Sequence, residues 1–170
     1  MWDPTTESFV YNYEYVRMWS RRQNVRLVEL DRLLIPVHIS GNHWTLSCVN
    51  FNSKTFEYYD NLRGSDRGIL RCLRSYVRDE IETYSADRPT RSKLLQDLAG
   101  WRDFIDLKIP LQRNGYDCGV FILYMARLLC SDAPMYITGA DGSSVPTFTQ
   151  TDITHFRAHI ARSLLHGTIL

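Results

Sequence analysis

The sequence has no closely spaced cysteine pair, no excess of one charge and no long apolar run. Its four cysteines, Cys48, Cys72, Cys118 and Cys130, form no C-x-x-C pair, which argues against a zinc site or a disulfide framework and favours a reducing compartment. Lys and Arg total 20 and Asp and Glu total 19, so the chain lacks the cationic surface of a nucleic-acid binder. No signal-peptide pattern or membrane-spanning run is present. We therefore expect a soluble protein of the nucleus or cytoplasm.

The length and apolar content predict one compact domain over residues 1–170. A chain of 170 residues with 44% apolar residues can bury one sizeable core but is short for two independent domains. Within it, residues 138–147 include Gly139, Gly142, two serines and Pro146, a composition typical of a flexible insertion.

Hydrophobic periodicity predicts an α+β fold, a small, mostly antiparallel sheet flanked by helices. Strands are predicted at 33–39, 43–51, 55–60 and 104–109, the first three as a meander joined by short turns. Helices are predicted at 9–19, 66–84, 93–98, 118–130 and 151–166, with a chain break at Arg88-Pro89.

The residues around Cys118 combine a turn with a reactive side chain. Asn114-Gly115 bends the backbone, Asp117 is predicted as an N-cap, and Cys118 then occupies the first position of a helix. The positive end of the helix dipole favours the thiolate, which is the nucleophilic form. Backbone N–H groups there, with the side-chain amide of Gln112, can donate to an oxyanion during acyl transfer.

The alternative interpretation of Cys118 is a small buried hydrophobe, the usual role of an isolated cysteine that opens an apolar helix. Cys48, inside an apolar strand, and Cys130, at the far end of the Cys118 helix, are predicted to be packing residues of that kind. Cys72 is assigned to the surface or edge of an amphipathic helix. A catalytic role for Cys118 therefore depends on a base nearby.

His43 is the predicted base. It opens a strand directly after a glycine turn, so its ring can lie at a sheet edge and reach the N-terminus of a neighbouring helix. His38 lies within a strand, and His155, His159 and His166 lie on the last helix, mostly on its polar side.

Asp60 and Trp44 each have two interpretations. Asp60 ends the strand that pairs with the strand of His43, so it can accept a hydrogen bond from the imidazole and fix its tautomer. The run Asp60-Asn61 followed by Gly64 is equally typical of a plain turn. Trp44 can form the wall of a narrow substrate channel, or it can simply pack at the sheet edge.

Taken together, these residues resemble the ubiquitin-like-protein proteases, the Ulp/SENP family of SUMO-specific cysteine peptidases. The similarity runs from about Phe9 to Leu165 and includes 34–39, His43-Trp44, 58–60, 112–119 and 148–150. The order His, Asp, Gln, Cys separates this family from papain-like enzymes, in which the glutamine and cysteine precede the histidine.

The resemblance implies a cysteine-protease fold with its nucleophile at a helix N-terminus. It implies a deSUMOylating thiol protease that processes precursors and conjugates after the C-terminal Gly-Gly of SUMO or a similar modifier. In that role Cys118 attacks, His43 is the base and Asp60 orients the base. Gln112 serves the oxyanion hole, and Trp44 covers the two glycines, since only residues without a Cβ pass beneath so close a ring.

The same resemblance implies no metal or organic cofactor. The implied partners are SUMO or another ubiquitin-like protein and its conjugates, bound by a monomer, with no nucleic acid and no membrane. The chain departs from the family pattern in two ways. The family's Trp-Leu-Asn/Asp segment and following helices, which supply a second tryptophan, are expected to be missing, and Trp2 lies too near His43 to replace it. The 138–147 insertion is also longer than expected.

Two alternatives to SUMO processing stay open. One is a non-catalytic module that retains the fold and grips a ubiquitin-like partner, which the missing N-terminal segment favours. The other is a protease with the same chain order that acts on a different modifier or on adenain-type viral substrates.

Overall fold

The computed structural model describes residues 2–167, which form two compact units of interleaved chain segments. Unit 1 comprises the chain up to Ile35, Ser47–Tyr58 and Ser65–Ile105. Unit 2 comprises Pro36–Leu46, Tyr59–Gly64 and the chain from Asp106 onward. The single domain over 1–170 stays a prediction.

The elements confirm the predicted α+β class. The strands are β1 (Trp2–Asp3), β2 (Ser8–Phe9), β3 (Arg32–Ile39), β4 (His43–Asn50), β5 (Thr55–Tyr59), β6 (Arg102–Ile105), β7 (Tyr136–Thr138) and β8 (Ser144–Pro146). The helices are α1 (Tyr13–Val16), α2 (Trp19–Arg22), α3 (Ile69–Tyr84), α4 (Arg88–Ala99), α5 (Cys118–Cys130) and α6 (Gln150–His166). A mostly antiparallel sheet has the order β3-β4-β5-β6, and β6 runs parallel to β5.

The α4 helix is longer than the sequence predicted. Residues 93–98 were expected to be helical after a break at Arg88-Pro89, but the helix begins at Arg88 and includes Pro89 in its first turn. Proline is tolerated there because the first N–H groups of a helix have no acceptor within it. The Asp87 carboxylate accepts the N–H of Thr90 at 2.7 Å and caps the helix.

The strand predicted at 104–109 begins at Arg102 and ends at Ile105. It ends because Asp106 accepts the N–H of Lys108 at 2.8 Å, which turns the backbone away from the extended conformation.

The helix predicted at 9–19 is also divided. Phe9 belongs to β2, and two short helices follow it, α1 and α2. The Asn12 side chain accepts the N–H of Glu14 at 3.0 Å and sets the start of α1.

The core of unit 1 is centred on one face of α3. The apolar positions that predicted this helix are all buried, namely Ile69, Leu70, Leu73, Tyr76, Val77 and Ile81. One polar group is buried among them: the Glu80 carboxylate accepts hydrogen bonds from Ser20 Oγ at 2.6 Å and from the Tyr13 hydroxyl at 3.0 Å.

The core of unit 2 joins α5 and α6. Phe121, Ile122 and Met125 of α5 are buried, as are Ile153 and Phe156 of α6. Tyr124 stacks on Phe148 with the ring centroids 4.2 Å apart. The bounds predicted for α5 match those found, but the helix is less buried than expected, since Leu123 is 48% exposed and Cys130 is exposed. The packing role predicted for Cys130 is therefore wrong.

The insertion predicted at 138–147 contains residues of two paired strands. Strands β7 and β8 form a hairpin in which Ile137 pairs with Val145, and its turn includes Gly142 at a φ of +79°. The flexibility of this segment stays a prediction.

Candidate active site

All five residues singled out from the sequence lie in unit 2, on different elements. His43 and Trp44 begin β4, Asp60 directly follows β5, and Cys118 is the first residue of α5. Gln112 lies in the loop that leads into α5. The site therefore depends on how the ends of these elements meet.

The structure brings His43 and Asp60 together. Nε2 of His43 lies 2.7 Å from Oδ1 of Asp60, and both side chains are largely buried, at 16% and 4% exposure. With a carboxylate at Nε2, the neutral ring carries its proton on that nitrogen, so Nδ1 is the nitrogen with a free lone pair.

Asp60 also holds the turn that the alternative interpretation predicted. Its Oδ1 accepts the N–H of Leu62 at 2.8 Å, and its Oδ2 accepts the N–H of Gly64 at 2.9 Å. Three donors thus fix the orientation of one carboxylate. Asp60 both closes the turn and contacts the imidazole, so its two interpretations are compatible.

Gly64 is part of this arrangement because it leaves room for the carboxylate. A Cβ built at Gly64 would lie 2.6 Å from Oδ2 of Asp60, well inside van der Waals contact. Any larger residue there has to displace the turn or the carboxylate.

The residues beside His43 and Cys118 meet. A Cβ built at Gly119 would lie 3.7 Å from Cδ1 of Trp44, so the indole packs against the first turn of α5. Cys118 is 6% exposed, whereas Trp44 is 39% exposed. His38 stacks on Trp44, with the two ring centroids 4.3 Å apart and the ring planes 22° apart.

Gln112 is held by an asparagine that sequence analysis treated only as part of a turn. Its Oε1 accepts from Nδ2 of Asn61 at 2.7 Å, its backbone N–H donates to Asn61 O at 3.1 Å, and its Nε2 donates to Asn114 O. Asn61 is completely buried and Gln112 is 8% exposed. An amide nitrogen has two hydrogens, so one N–H of Gln112 remains for a ligand.

Asp117 stands at the N-cap position of α5 as predicted, but its carboxylate does not cap the helix. It accepts instead from Nδ2 of Asn114 at 2.6 Å, from Nε2 of Gln150 at 2.7 Å and from both Nε, at 2.9 Å, and Nη2 of Arg157. Burial raises the pKa of Asp117, but these donors, Asn114 first, outweigh it and hold the pKa below its usual value.

Asn61, Gln150 and Arg157 support the site, but the sequence did not predict that role. Asn61 looked like an ordinary turn residue, and the two α6 residues lie 33 and 40 positions from Asp117. No local pattern reveals a contact at that separation.

Among residues 2–167, the structure has no cluster of His, Cys, Asp or Glu able to hold a metal ion. Over the same residues, no helix combines the length and the apolar character that crossing a membrane requires. All four cysteines lie within residues 2–167, and none of them forms a disulfide.

Comparison with known proteins matches residues 4–165 to the Ulp1 protease family, C-terminal catalytic domain. Ubiquitin-like-specific protease 1A of Arabidopsis thaliana is 32% identical over 157 residues, which is 91% of this chain and 28% of the relative. Human Sentrin-specific protease 3 is 28% identical over 154 residues, 91% of this chain and 23% of the relative. The chain thus spans about a quarter of the length of these relatives.

Two solved structures of the protease Ulp1 are similar over most of this chain. The C-terminal protease domain in complex with Smt3, the yeast ortholog of SUMO, is 28% identical with a TM-score of 0.68, and the match covers 91% of this chain and 61% of that chain. A structure of Ulp1 with its catalytic cysteine oxidised to a sulfonic acid is 28% identical with a TM-score of 0.70, over 93% of this chain and 63% of that chain.

Proposed function

This chain belongs to the Ulp1 protease family, C-terminal catalytic domain, and from that premise we propose that it is a cysteine peptidase acting after the C-terminal Gly-Gly of SUMO or a similar ubiquitin-like modifier. The observation that supports this most directly is the 2.7 Å contact between His43 Nε2 and Asp60 Oδ1. A histidine held in this way presents its second nitrogen as a base. The relative crystallised with Smt3 supports the class of substrate.

In the first step the sulfur of Cys118 attacks the carbonyl carbon of the last glycine. His43 Nδ1 takes the thiol proton, and Asp60 stabilises the imidazolium that forms. The negative oxygen of the tetrahedral intermediate accepts from the backbone N–H of Cys118 and from the remaining N–H of Gln112. Asn61 positions that amide by engaging its oxygen.

Collapse of the intermediate breaks the C–N bond. His43 gives its proton to the leaving amine, which is the lysine of a conjugated protein or the next residue of a precursor. A thioester joins the modifier to Cys118. His43 then removes a proton from water, which attacks the thioester, and the modifier leaves with a free carboxylate.

Specificity for glycine follows from the position proposed for the tail beneath Trp44. The indole already packs against Gly119, and His38 stacks on it and limits its movement. A residue with a Cβ has no room in a passage that narrow, whereas glycine does.

The proposed enzyme is a monomer with SUMO or a related modifier and its conjugates as partners, and its chemistry uses groups of the protein itself. Its proposed location is intracellular, in the nucleus or the cytoplasm. A reducing compartment keeps a catalytic thiol from oxidation, which supports this location.

The test uses SUMO and ubiquitin that carry C-terminal electrophilic traps. We expect wild-type protein to form a covalent adduct with the SUMO trap, and Cys118→Ser to form none. The exposed Cys130 stays in that variant, so an adduct that persists would reveal unspecific alkylation. Reversible SUMO binding without an adduct supports a non-catalytic module, and an adduct with another modifier supports a different target.

The base is tested with two histidine variants. We expect His43→Ala to abolish turnover at neutral pH, whereas His38→Ala retains it. Equal loss from both variants contradicts the assignment of His43 as the base.

A further inference from the structure

A groove of about 590 Å³ lies in unit 2 beside the proposed active site. Its size falls in the range of ligand pockets, roughly 300–1,000 Å³. Ile109 and Phe148 are buried beneath it, at 2% and 1% exposure, whereas Leu107 and Leu111 are exposed along it. We call it the basic groove; its lining is Arg63, 107–113, Ser144, Pro146 and 148–150.

The charge of the basic groove has one sign. Arg63, Lys108 and Arg113 are exposed, none of them takes part in an ion pair within residues 2–167, and no Asp or Glu is among the lining residues. The Lys108 ammonium lies 5.6 Å from the centroid of the Tyr136 ring, which does not neutralise it. Asp106, the nearest carboxylate in sequence, accepts the backbone N–H of Lys108 and lies outside the lining.

The positive charge of the basic groove is a local excess, since the whole chain has a net charge of only +1. The backbone of Arg63 is locally constrained. Its φ of +59° is a left-handed conformation that favours glycine or asparagine, and its N–H is fixed to Asp60 O at 2.9 Å.

The basic groove and the proposed active site share two residues. Gln112, the proposed oxyanion donor, lines the groove. Gln150 also lines it, accepting the Arg113 N–H at 2.8 Å while donating to Asp117 at 2.7 Å. By contrast, His38, Trp44 and Gly119 are not part of the lining, so the groove is distinct from the passage proposed for the modifier's tail.

We infer that the basic groove binds an acidic peptide segment of the protein from which the modifier is released. The three cations pair with Asp and Glu side chains, and apolar side chains between them contact Leu107 and Leu111. That the segment belongs to the conjugated protein rests on the proposed function, whereas binding of an acidic peptide does not. Stacked nucleic-acid bases fit less well, since Phe148, the aromatic residue of the lining, is buried.

The binding test uses a fluorescent hexapeptide that alternates Glu with Leu, and a Gln-Leu peptide as its neutral counterpart. With Cys118→Ser protein, we expect the acidic peptide alone to bind, more weakly as salt rises. Lys108→Glu combined with Arg113→Glu should weaken binding about tenfold. Arg162→Glu, an exposed cation of α6 outside the lining, is the matched control and should leave binding unchanged. Equal binding of both peptides, equal loss in the control, or full displacement by an oligonucleotide of equal charge overturns the inference.

The kinetic test shows whether the basic groove contacts the conjugated protein or the modifier. One substrate is SUMO with a C-terminal aminomethylcoumarin, and the other is SUMO joined to the lysine of a peptide with acidic flanks. We expect the double variant to lower kcat/KM about tenfold for the second substrate and to leave the first unchanged. Equal loss with both places the contact on the modifier and overturns the inference. Binding of the acidic peptide, together with a wild-type protein that forms no trap adduct, would contradict only the proposed function.

Discussion

The Asp60 carboxylate is tightly constrained in the proposed site. It accepts from His43 and from the N–H groups of Leu62 and Gly64. Oδ2 lies only 2.6 Å from the position that a Cβ of residue 64 would take, so the orientation of the carboxylate, and with it that of the imidazole, depends on a residue with no side chain.

We therefore predict that Gly64→Ala lowers kcat by at least about tenfold with little change in KM. The added methyl group, 2.6 Å from Oδ2, has to push the carboxylate away from His43, and small misplacements of catalytic groups have large effects. Steady-state kinetics with a SUMO-coumarin substrate measure both constants.

Gly100→Ala is the matched control for this change. A Cβ there meets Asp97 O at 3.5 Å, an ordinary contact, and Gly100 ends α4 in unit 1. Unchanged kinetics in Gly64→Ala would show that the carboxylate can move without affecting the base.

Helices α5 and α6 are joined through one carboxylate at the start of α5. Asp117 precedes Cys118, and Gln150 and Arg157 of α6 both donate to it. The start of α6 is set by its own sequence, because the Asp152 carboxylate accepts the N–H of Thr149 at 2.8 Å. Local capping thus sets where α6 begins, whereas contacts from α6 hold the side chain of Asp117, the residue before Cys118.

We predict that Asp117→Asn destabilises the fold at pH 7 by about 2 kcal/mol, since hydrogen bonds to charged groups are worth about 1.5–3 kcal/mol. The folded pKa of Asp117 is lowered, so the stability it contributes is present above the unfolded value of 3.8 and is lost as the pH falls through the folded pKa. The difference between the wild type and the variant should therefore shrink on acidification. Urea unfolding at pH 7 and at successively lower pH measures it.

Asp141→Asn serves as the control for Asp117→Asn. Asp141 also has a lowered pKa, from hydrogen bonds to Ser143, but it is exposed to water. A loss of stability for Asp117→Asn that stays constant with pH contradicts the linkage.

The same helices show what a sequence can predict. The bounds of α5 follow from Asn114-Gly115 and the apolar run after Cys118, and they were predicted correctly. The start of α4 was missed because Pro89 was interpreted as a break when it stands in a first turn. Chemistry and chain order indicated His43, Asp60 and Cys118, but the partners that orient them are set by tertiary contacts.

The proposed catalytic residues are spread over all three segments of unit 2. His43 lies in the first, Asp60 in the second and Cys118 in the third, and a segment of unit 1 joins each to the next. Neither unit can therefore be separated as a continuous stretch of sequence. The integrity of the site should depend on residues of unit 1 that contact no catalytic group.

Glu80 of α3 tests this dependence. Its buried carboxylate holds Ser20 and Tyr13, so it attaches the N-terminal helices to α3 within unit 1. We predict that Glu80→Ala lowers the free energy of unfolding by about 2 kcal/mol, because it leaves the buried hydroxyl of Ser20 without this acceptor and removes one of the acceptors of the Tyr13 hydroxyl. Glu82→Ala removes an exposed carboxylate from the same helix and should change little.

Two probes followed along one urea titration show whether that loss reaches the site. Tryptophan fluorescence, measured in a Trp44→Phe background, reports on unit 1, which contains Trp19 and Trp101. Adduct formation with the SUMO trap, measured without that change, reports on Cys118 of unit 2. We expect both midpoints to fall together in Glu80→Ala, because the chain cannot unfold three segments without releasing those between them. A fluorescence midpoint that falls while the trap midpoint stays at the wild-type value would mean that the two units unfold independently, and that the N-terminal helices are not needed to keep His43, Asp60 and Cys118 in place.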